Sequence, residues 1–589
     1  MIEERYPMVR ATSQALLNAA TDLGRDLPSY RLFPVNDLVG GGVARGYDAF
    51  ADALATHPVV TIDGFSGVRW EVMRAGLDAA LRQRDVTARW VDVADALGDV
   101  EALAATVLFP GDPLFGRLYE GGLDAFFDTA RLRTLQPAGG SMNIIYGCGA
   151  ALAGWPGFLV HADVPKNEIQ YRARAGSVAN LGLASALSAK EAYRRCYYLD
   201  WPALTRHRAA IAQRVGLFVD AQDDAAPSLA EGAAVRDSLM RLGRSVIRPR
   251  PWFESGAWGG QWLKRHVAGV AQDVVNYAWS FEMITPENGV LLGDGADVLE
   301  VSFDLLMALA APDILGDYAN RYGTFFPVRI NLLDTIEGGN LSVQCHPSTN
   351  TIAREFGEPV AQDETYYILE REPGARVYLG LREGADVAAF RALLQAGGEV
   401  DIDAYVGSFA AEPGDLFLIP HGAVHSAGRG CLVLEISSTP YLYTFKMYDW
   451  MRADLDGHPR PLNIERAFGS LNPQFAGAYA RDHLRARANM IAAGDGWRRV
   501  HLPTHAAHAH DVTRLELRGT AEVATGGSFL ACNVAKGGPV RVEAGGVMQI
   551  CNRLETFCIA AAAESARLTN LGAGEAHVML AAMKPEAAR

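Results

Sequence analysis

The chain has 589 residues, 49% hydrophobic and 21% charged, with a formal net charge of −14. That length exceeds what one hydrophobic core serves, so about three domains are expected, and the acidic balance argues against a general nucleic-acid or anionic-membrane binder. Seven cysteines, from Cys148 to Cys558, show neither Cys-x-x-Cys pairs nor the density of a disulfide framework, which points to a reduced, cytoplasmic setting. Met1–Arg5 carries acidic residues where a signal peptide needs a basic start. No apolar run approaches the roughly 20 residues of a membrane helix. A soluble protein is therefore expected, with no membrane partner; a homo-oligomer is allowed.

The first domain is expected over residues 1–245. Residues 58–77 read as a buried strand, a tight Gly64–Gly67 turn and an amphipathic helix. Further strand candidates are Thr87–Asp92, Met142–Tyr146, Gly157–Asp163 and Val215–Asp220, separated by helical stretches such as Gly122–Leu132 and Leu187–Arg195. This alternation predicts a mostly parallel α/β sheet. With its Gly64-Phe65-Ser66-Gly67 turn and this order of elements, the stretch resembles the nucleoside-kinase branch of P-loop phosphotransferases. A working phosphate loop needs Gly-Lys-Ser/Thr, and here Arg69-Trp70-Glu71 follows instead. The resemblance thus implies a degenerate P-loop kinase-like domain that binds no ATP and serves packing or an interface. His161, in an apolar strand-like run, reads as a satisfied core residue.

An Asp/Ala/Pro-rich linker at 223–227 and the segment Arg248–Pro251 lead into a second domain, 246–500. Its centre is Leu341-Ser342-Val343-Gln344-Cys345-His346-Pro347. Side chains alternate along a strand, so Gln344 and His346 share one face and Cys345 takes the other. Glu364 and His425, each in its own strand-like run, add a carboxylate and a second imidazole. Two imidazoles, a carboxylate and an amide oxygen suit Zn2+, with other first-row divalent ions allowed.

Four blocks then occur in order: Gly256-Ala257-Trp258-Gly259-Gly260; Phe326–Asp334 leading to Leu341–Pro347; Glu364–Leu369; and Gly414–Pro420 with His425, ending in Phe445-Lys446-Met447-Tyr448-Asp449. In these blocks, over about 200 residues from Pro251, the chain resembles the class I mannose-6-phosphate isomerases. The resemblance implies a metal-binding cupin (jelly-roll) isomerase domain whose ligands are Gln344, His346, Glu364 and His425. It also implies a carbohydrate substrate and aldose–ketose isomerisation. The family's lysine two residues before the ligand glutamate is Gln362 here, its lysine on the preceding strand is Asn331, and its arginine in the fourth block is Lys446. Lys446, Asp363 and His421 are the candidate acid/base residues, Lys446 being preferred. Arg452, Trp258, Gln362 and Asn331 are candidate substrate contacts. Loss of two cations also admits a non-catalytic, metal-anchored sugar-binding or regulatory protein, or a different cupin reaction on the same metal.

The remainder is expected to be a helix at Gln474–Ala492, a His-rich solvated connector containing His505, His508 and His510, and a C-terminal β-domain over 501–589. Strand-like runs separated by Gly-Gly turns predict a β-sandwich or cupin-like barrel, structural and metal-free. The fold class is thus multidomain α/β plus β.

Overall fold

The computed structural model describes residues 8–17, 30–139, 142–438 and 443–588; Met1–Arg5 lies outside them. The chain divides into two compact units. The first comprises Met1–Arg25, Phe33–Arg241 and Glu287–Ala310, and the second Asp26–Leu32, Leu242–Pro286 and Ala311–Arg589. Glu287–Ala310 joins the first unit because strand Gly289–Gly293, paired with Val298–Ser302, also runs parallel to Val35–Asp37.

The first unit is built on β1 (Val59–Gly64), α1 (Trp70–Arg82), β2 (Ala88–Asp92), β3 (Met142–Gly147), β4 (Phe158–Asp163), β5 (Leu217–Asp220) and β6 (Ser228–Glu231). β1 opens on the β-branched run Val59-Val60-Thr61-Ile62 and is buried on both faces, as a central parallel strand must be. Its neighbours are β3 and β4, both parallel, with Val60 opposite Ile144 and Phe158. Across the sheet the order is β6-β5-β4-β1-β3-β2, with β6 antiparallel to β5. α1 buries Met73, Leu77, Ala80 and Leu81, a stripe at helical spacing, against this sheet's core. The turn between β1 and α1 requires glycine at position 64. A Cβ there would lie 2.5 Å from the Ala162 carbonyl oxygen and 2.7 Å from the Trp70 ring.

Two features of this unit differ from the sequence expectation. Gly122–Leu132 is not one helix: a 3-10 turn at Leu123–Phe126 gives way to a new helix, Thr129–Thr134. Asp128 causes the restart, its side chain capping the N–H groups of Ala130 and Arg131. His161 is buried as expected, but neither ring nitrogen has a hydrogen-bond partner among the described residues. Burial pushes its pKa down to about 4.

The second unit begins with two antiparallel sheets. One runs β7 (Trp252–Glu254), β8 (Trp279–Met283), β9 (Val328–Asp334), β16 (Cys431–Ser438), β11 (Glu364–Arg371), β14 (Leu416–Ile419). The other runs β13 (Val406–Ala410), β12 (Arg376–Leu381), β15 (His425–Ala427), β10 (Val343–Cys345), β17 (Phe445–Tyr448). Leu333, Ile368 and Val433 from the first sheet and Val377, Leu379 and Ala427 from the second share one apolar core. Side-chain alternation therefore aims one face of each sheet at the other.

The rest of the unit is a seven-stranded sheet facing a four-stranded one across a core that includes Leu515, Val534, Val578, Val542 and Leu568. Here too the helix expected at Gln474–Ala492 is shorter. It spans Gly477–His483, and Asn489–Gly494 forms a strand paired with Trp497–Leu502. The Asp495-Gly496 turn, with Gly496 at φ 72°, closes that hairpin and dictates strand pairing where an Ala-rich composition alone reads as helix. All seven cysteines are buried free thiols. Among the described residues no helix is long and apolar enough to cross a membrane.

Candidate metal centre

Each sheet contributes one transverse row of side chains to a common point. In the first, strand register sets Arg329 (β9), Ser437 (β16) and Glu364 (β11) side by side. In the second, Lys446 (β17), Gln344 (β10) and His425 (β15) form the matching row. His346 follows directly after β10, two residues beyond Gln344, on the same face as the alternation predicts.

The rows converge closely. His346 Nε2 lies 3.2 Å from Glu364 Oε1, His425 Nε2 lies 3.3 Å from Glu364 Oε2, and Gln344 Nε2 lies 3.1 Å from His425 Nε2. His346, Glu364 and His425 are the one group of three His, Cys, Asp or Glu among the described residues whose ligand atoms lie within 4.8 Å of one another. All are buried.

The donor set fits a divalent metal. His346 Nδ1 sits 3.0 Å from the Tyr443 carbonyl oxygen and His425 Nδ1 2.9 Å from that of Ala423. These carbonyls fix the proton on Nδ1, leaving both Nε2 lone pairs directed at the shared point. A half-turn of the Gln344 amide presents Oε1 there. His346 Nε2 and Glu364 Oε2 are buried without a hydrogen-bond partner among the described residues, as are Gln362 Oε1 and Asn331 Oδ1 nearby. Convergent buried polar atoms of this kind are costly unless they serve a ligand. Burial raises the Glu364 carboxyl, but in the metal-free protein the charge and hydrogen bonds of His346 and His425, when these rings carry the extra proton that a metal would displace, outweigh it and hold the group well below the carboxylate range.

Around the ligands lies a shell that sequence spacing only partly shows. Gln362 Nε2 donates to Glu364 Oε1 at 2.7 Å. Arg329 donates to the same oxygen at 3.1 Å and to Glu435 Oε1 at 2.6 Å. Neither Arg329 nor Glu435 stands out in the sequence. The available signal was period two, since Arg329 is two residues from Asn331 and shares its face. His508 donates from Nε2 to the backbone oxygen of Glu364 at 2.8 Å. It is 1% exposed and His510 0%, so these two histidines of the expected solvated connector are buried, while His505 is half-buried and Ala506 exposed. The reason is tertiary: His505 is held by the Tyr479 hydroxyl at 3.0 Å, and the following turn packs against the strand carrying Glu364.

The remaining candidates divide. Asp363 Oδ1 holds His421 twice, through its backbone N–H at 2.7 Å and its Nδ1 at 2.9 Å. Burial lowers the His421 pKa, but the Asp363 bond and charge more than reverse it, so the imidazole is held above its ordinary value. Lys446 stands in register with Gln344. Arg452, by contrast, is committed to Asp449 Oδ1 at 2.5 Å and to the Asn340 carbonyl. Trp258 is 1% exposed in the apolar core, edge-on to Trp279.

Comparison with known proteins places both units in context. Residues 46–244 match a family described as a domain of unknown function (DUF8485). The chain is 26% identical over 220 residues to a mannose-6-phosphate isomerase of Streptococcus mutans serotype c, covering 36% of this chain and 64% of that protein. It is 27% identical over 223 residues to the probable mannose-6-phosphate isomerase GmuF of Bacillus subtilis, covering 37% and 65%. A crystal structure of the mannose 6-phosphate isomerase from Bacillus subtilis aligns with TM-score 0.47 and 19% identity over 57% of this chain and 99% of that one. The chain thus spans just under two thirds of the length of the curated relatives it matches, and over about a third of its own length it is homologous to mannose-6-phosphate isomerases.

Proposed function

We propose that the second unit is a metal-dependent aldose–ketose isomerase on a cupin (jelly-roll) scaffold, acting on a sugar phosphate or a related sugar. The observation that carries this reading is the convergence of His346, Glu364 and His425, with Gln344 beside His425 and with His346 Nε2 and Glu364 Oε2 unpartnered among the described residues, in a chain homologous to mannose-6-phosphate isomerases. Zn2+ is the ion that best suits this set. When bound, it supplies Lewis-acid polarisation of the carbonyl and hydroxyl oxygens of an open-chain sugar.

The protein's own residues do the rest. Gln362 and Arg329 hold Oε1 of Glu364, leaving Oε2 for the metal. Lys446 is the residue assigned to carry the proton between C1 and C2, a reading supported by its strand register with Gln344, with the Asp363–His421 pair as the second acid/base group. Asn331 and Gln362 offer amides where the family has lysines, which favours hydroxyl contacts over phosphate contacts on that side.

The first unit reads as a P-loop kinase-like fold that has lost ATP chemistry. Its strand order and the Gly64–Gly67 turn support the fold; Arg69-Trp70-Glu71 after the turn supports the loss.

The test is metal analysis together with aldose–ketose conversion of mannose 6-phosphate and a panel of free sugars. The wild type is expected to hold about one metal per chain and to turn over, and His346→Ala/His425→Ala to lose both. Turnover retained in the double variant overturns the reading. Metal and sugar binding without conversion of any sugar replaces it with the non-catalytic sugar-binding protein.

A further inference from the structure

A cavity of about 650 Å3 lies wholly within the first unit. It opens over the carboxyl ends of β1, β2 and β3, walled by the β1–α1 turn, Asp92, Cys148 and the loop 177–184. In open α/β sheets this is where ligands bind, because connections that leave in opposite directions part the loops there. β1 is such a point: the chain passes from it to β2 on one side and later reaches β4 on the other. The volume falls within the roughly 300–1,000 Å3 of small-ligand sites.

The walls specify a chemistry. The cation lining the cavity, Arg69, is already engaged by Asp224, 2.6 Å from its Nη1. Against it stand the carboxylates of Glu71, in the first turn of α1, and Asp92, at the end of β2. Burial pushes the Cys148 thiol far up, and Asp63, Asp200 and Asp92 add to it, so that wall is a neutral thiol in an acidic surrounding. A phosphate or nucleotide entering here meets like charge, and Arg69, the cation among the described lining residues, is already paired with Asp224. A metal ion is no better served. Glu71 and Asp92 project from different elements, and neither belongs to a group of three converging ligand residues among the described residues.

What the walls do offer is spread-out acceptors, a buried Ser66 hydroxyl with no hydrogen-bond partner among the described residues, and apolar area from Val68, Val93 and Leu181. Separated carboxylates that accept from hydroxyls, alternating with apolar surface that covers C–H faces, match an uncharged polyol.

We infer that the first unit binds an unphosphorylated monosaccharide in this cavity, with Glu71 and Asp92 accepting from its hydroxyls. This site is independent of the metal centre and does not rest on the proposed isomerase activity.

Titration calorimetry on the full chain, stripped of metal with EDTA, tests it with free hexoses and pentoses, glucosamine, inorganic phosphate and ATP as probes. Saturable binding of at least one neutral sugar is expected, with at least tenfold weaker affinity in Glu71→Gln/Asp92→Asn. The same binding is expected to persist in His346→Ala/His425→Ala. Thermal unfolding of the Glu71→Gln/Asp92→Asn protein, unchanged in midpoint, shows that lost affinity is not lost folding. Four outcomes overturn the inference: no neutral sugar binds, phosphate or ATP binds as well, glucosamine alone binds, or the Glu71→Gln/Asp92→Asn variant binds sugar as tightly as wild type.

Discussion

Arg329 reaches Glu364 Oε1 at 3.1 Å with the same nitrogen that reaches Glu435 at 2.6 Å, and all three groups are at most 5% exposed. One guanidinium thus bridges two buried carboxylates, one of them a candidate metal ligand. Arg329 sets a positive charge on β9, two residues from Asn331 and against the candidate ligand Glu364.

Removing that cation takes from two buried carboxylates the guanidinium they share. Arg329→Met is expected to destabilise the metal-free second unit by about 3–5 kcal/mol, the usual cost of breaking a buried ion pair. Added Zn2+ restores charge at Glu364, so the deficit is expected to shrink with metal. Denaturant unfolding with and without Zn2+ checks both; an equal deficit in the two conditions contradicts the role assigned to Arg329.

Gln362 acts on the same oxygen from the other side. Gln362→Leu keeps the volume and deletes the donor to Glu364 Oε1. Metal affinity is expected to fall about 10- to 100-fold, as for other partners that orient metal ligands. Chelator competition measures it directly, without reference to turnover.

Much of this arrangement is legible in the sequence. Alternation put Gln344 and His346 on one face, and Val59–Ile62, Gly64 and the α1 stripe announced the parallel sheet. What stayed hidden is non-local. The bond from His508 to Glu364 spans 144 residues, and nothing in an Ala/His-rich run says that its histidines turn inward. Arg329 looked like one more strand residue because its partners lie on β11 and β16, 35 and 106 residues away. The strand at Asn489–Gly494 was missed for another reason: alanines favour helix, and pairing with Trp497–Leu502 overrides that preference.

Lys446 separates binding from chemistry. If it carries the proton, Lys446→Met leaves metal content and substrate affinity near wild type and lowers kcat on the order of 10²- to 10⁴-fold. Metal analysis and steady-state kinetics on one preparation distinguish the cases. An unchanged kcat transfers the role to the Asp363–His421 pair, and His421→Asn then carries the loss.

His510 gives the protein a defined acid lability. Burial, followed by the charge of His508, pushes its pKa down to about 3 in the folded state, against about 6.5 when unfolded. Between those values the unfolded chain binds the extra proton, so stability rises with pH; it is fully present above 6.5 and is lost as pH falls towards 3. From pH 6.5 to 5 this one group costs about 2 kcal/mol. His510→Leu removes the titration while keeping an apolar side chain in the same buried place. Wild type is therefore expected to lose more thermal midpoint than His510→Leu on going from pH 7.5 to 5, with the two converging in slope above pH 7. Parallel losses at acid pH would show that the buried imidazole does not set the response.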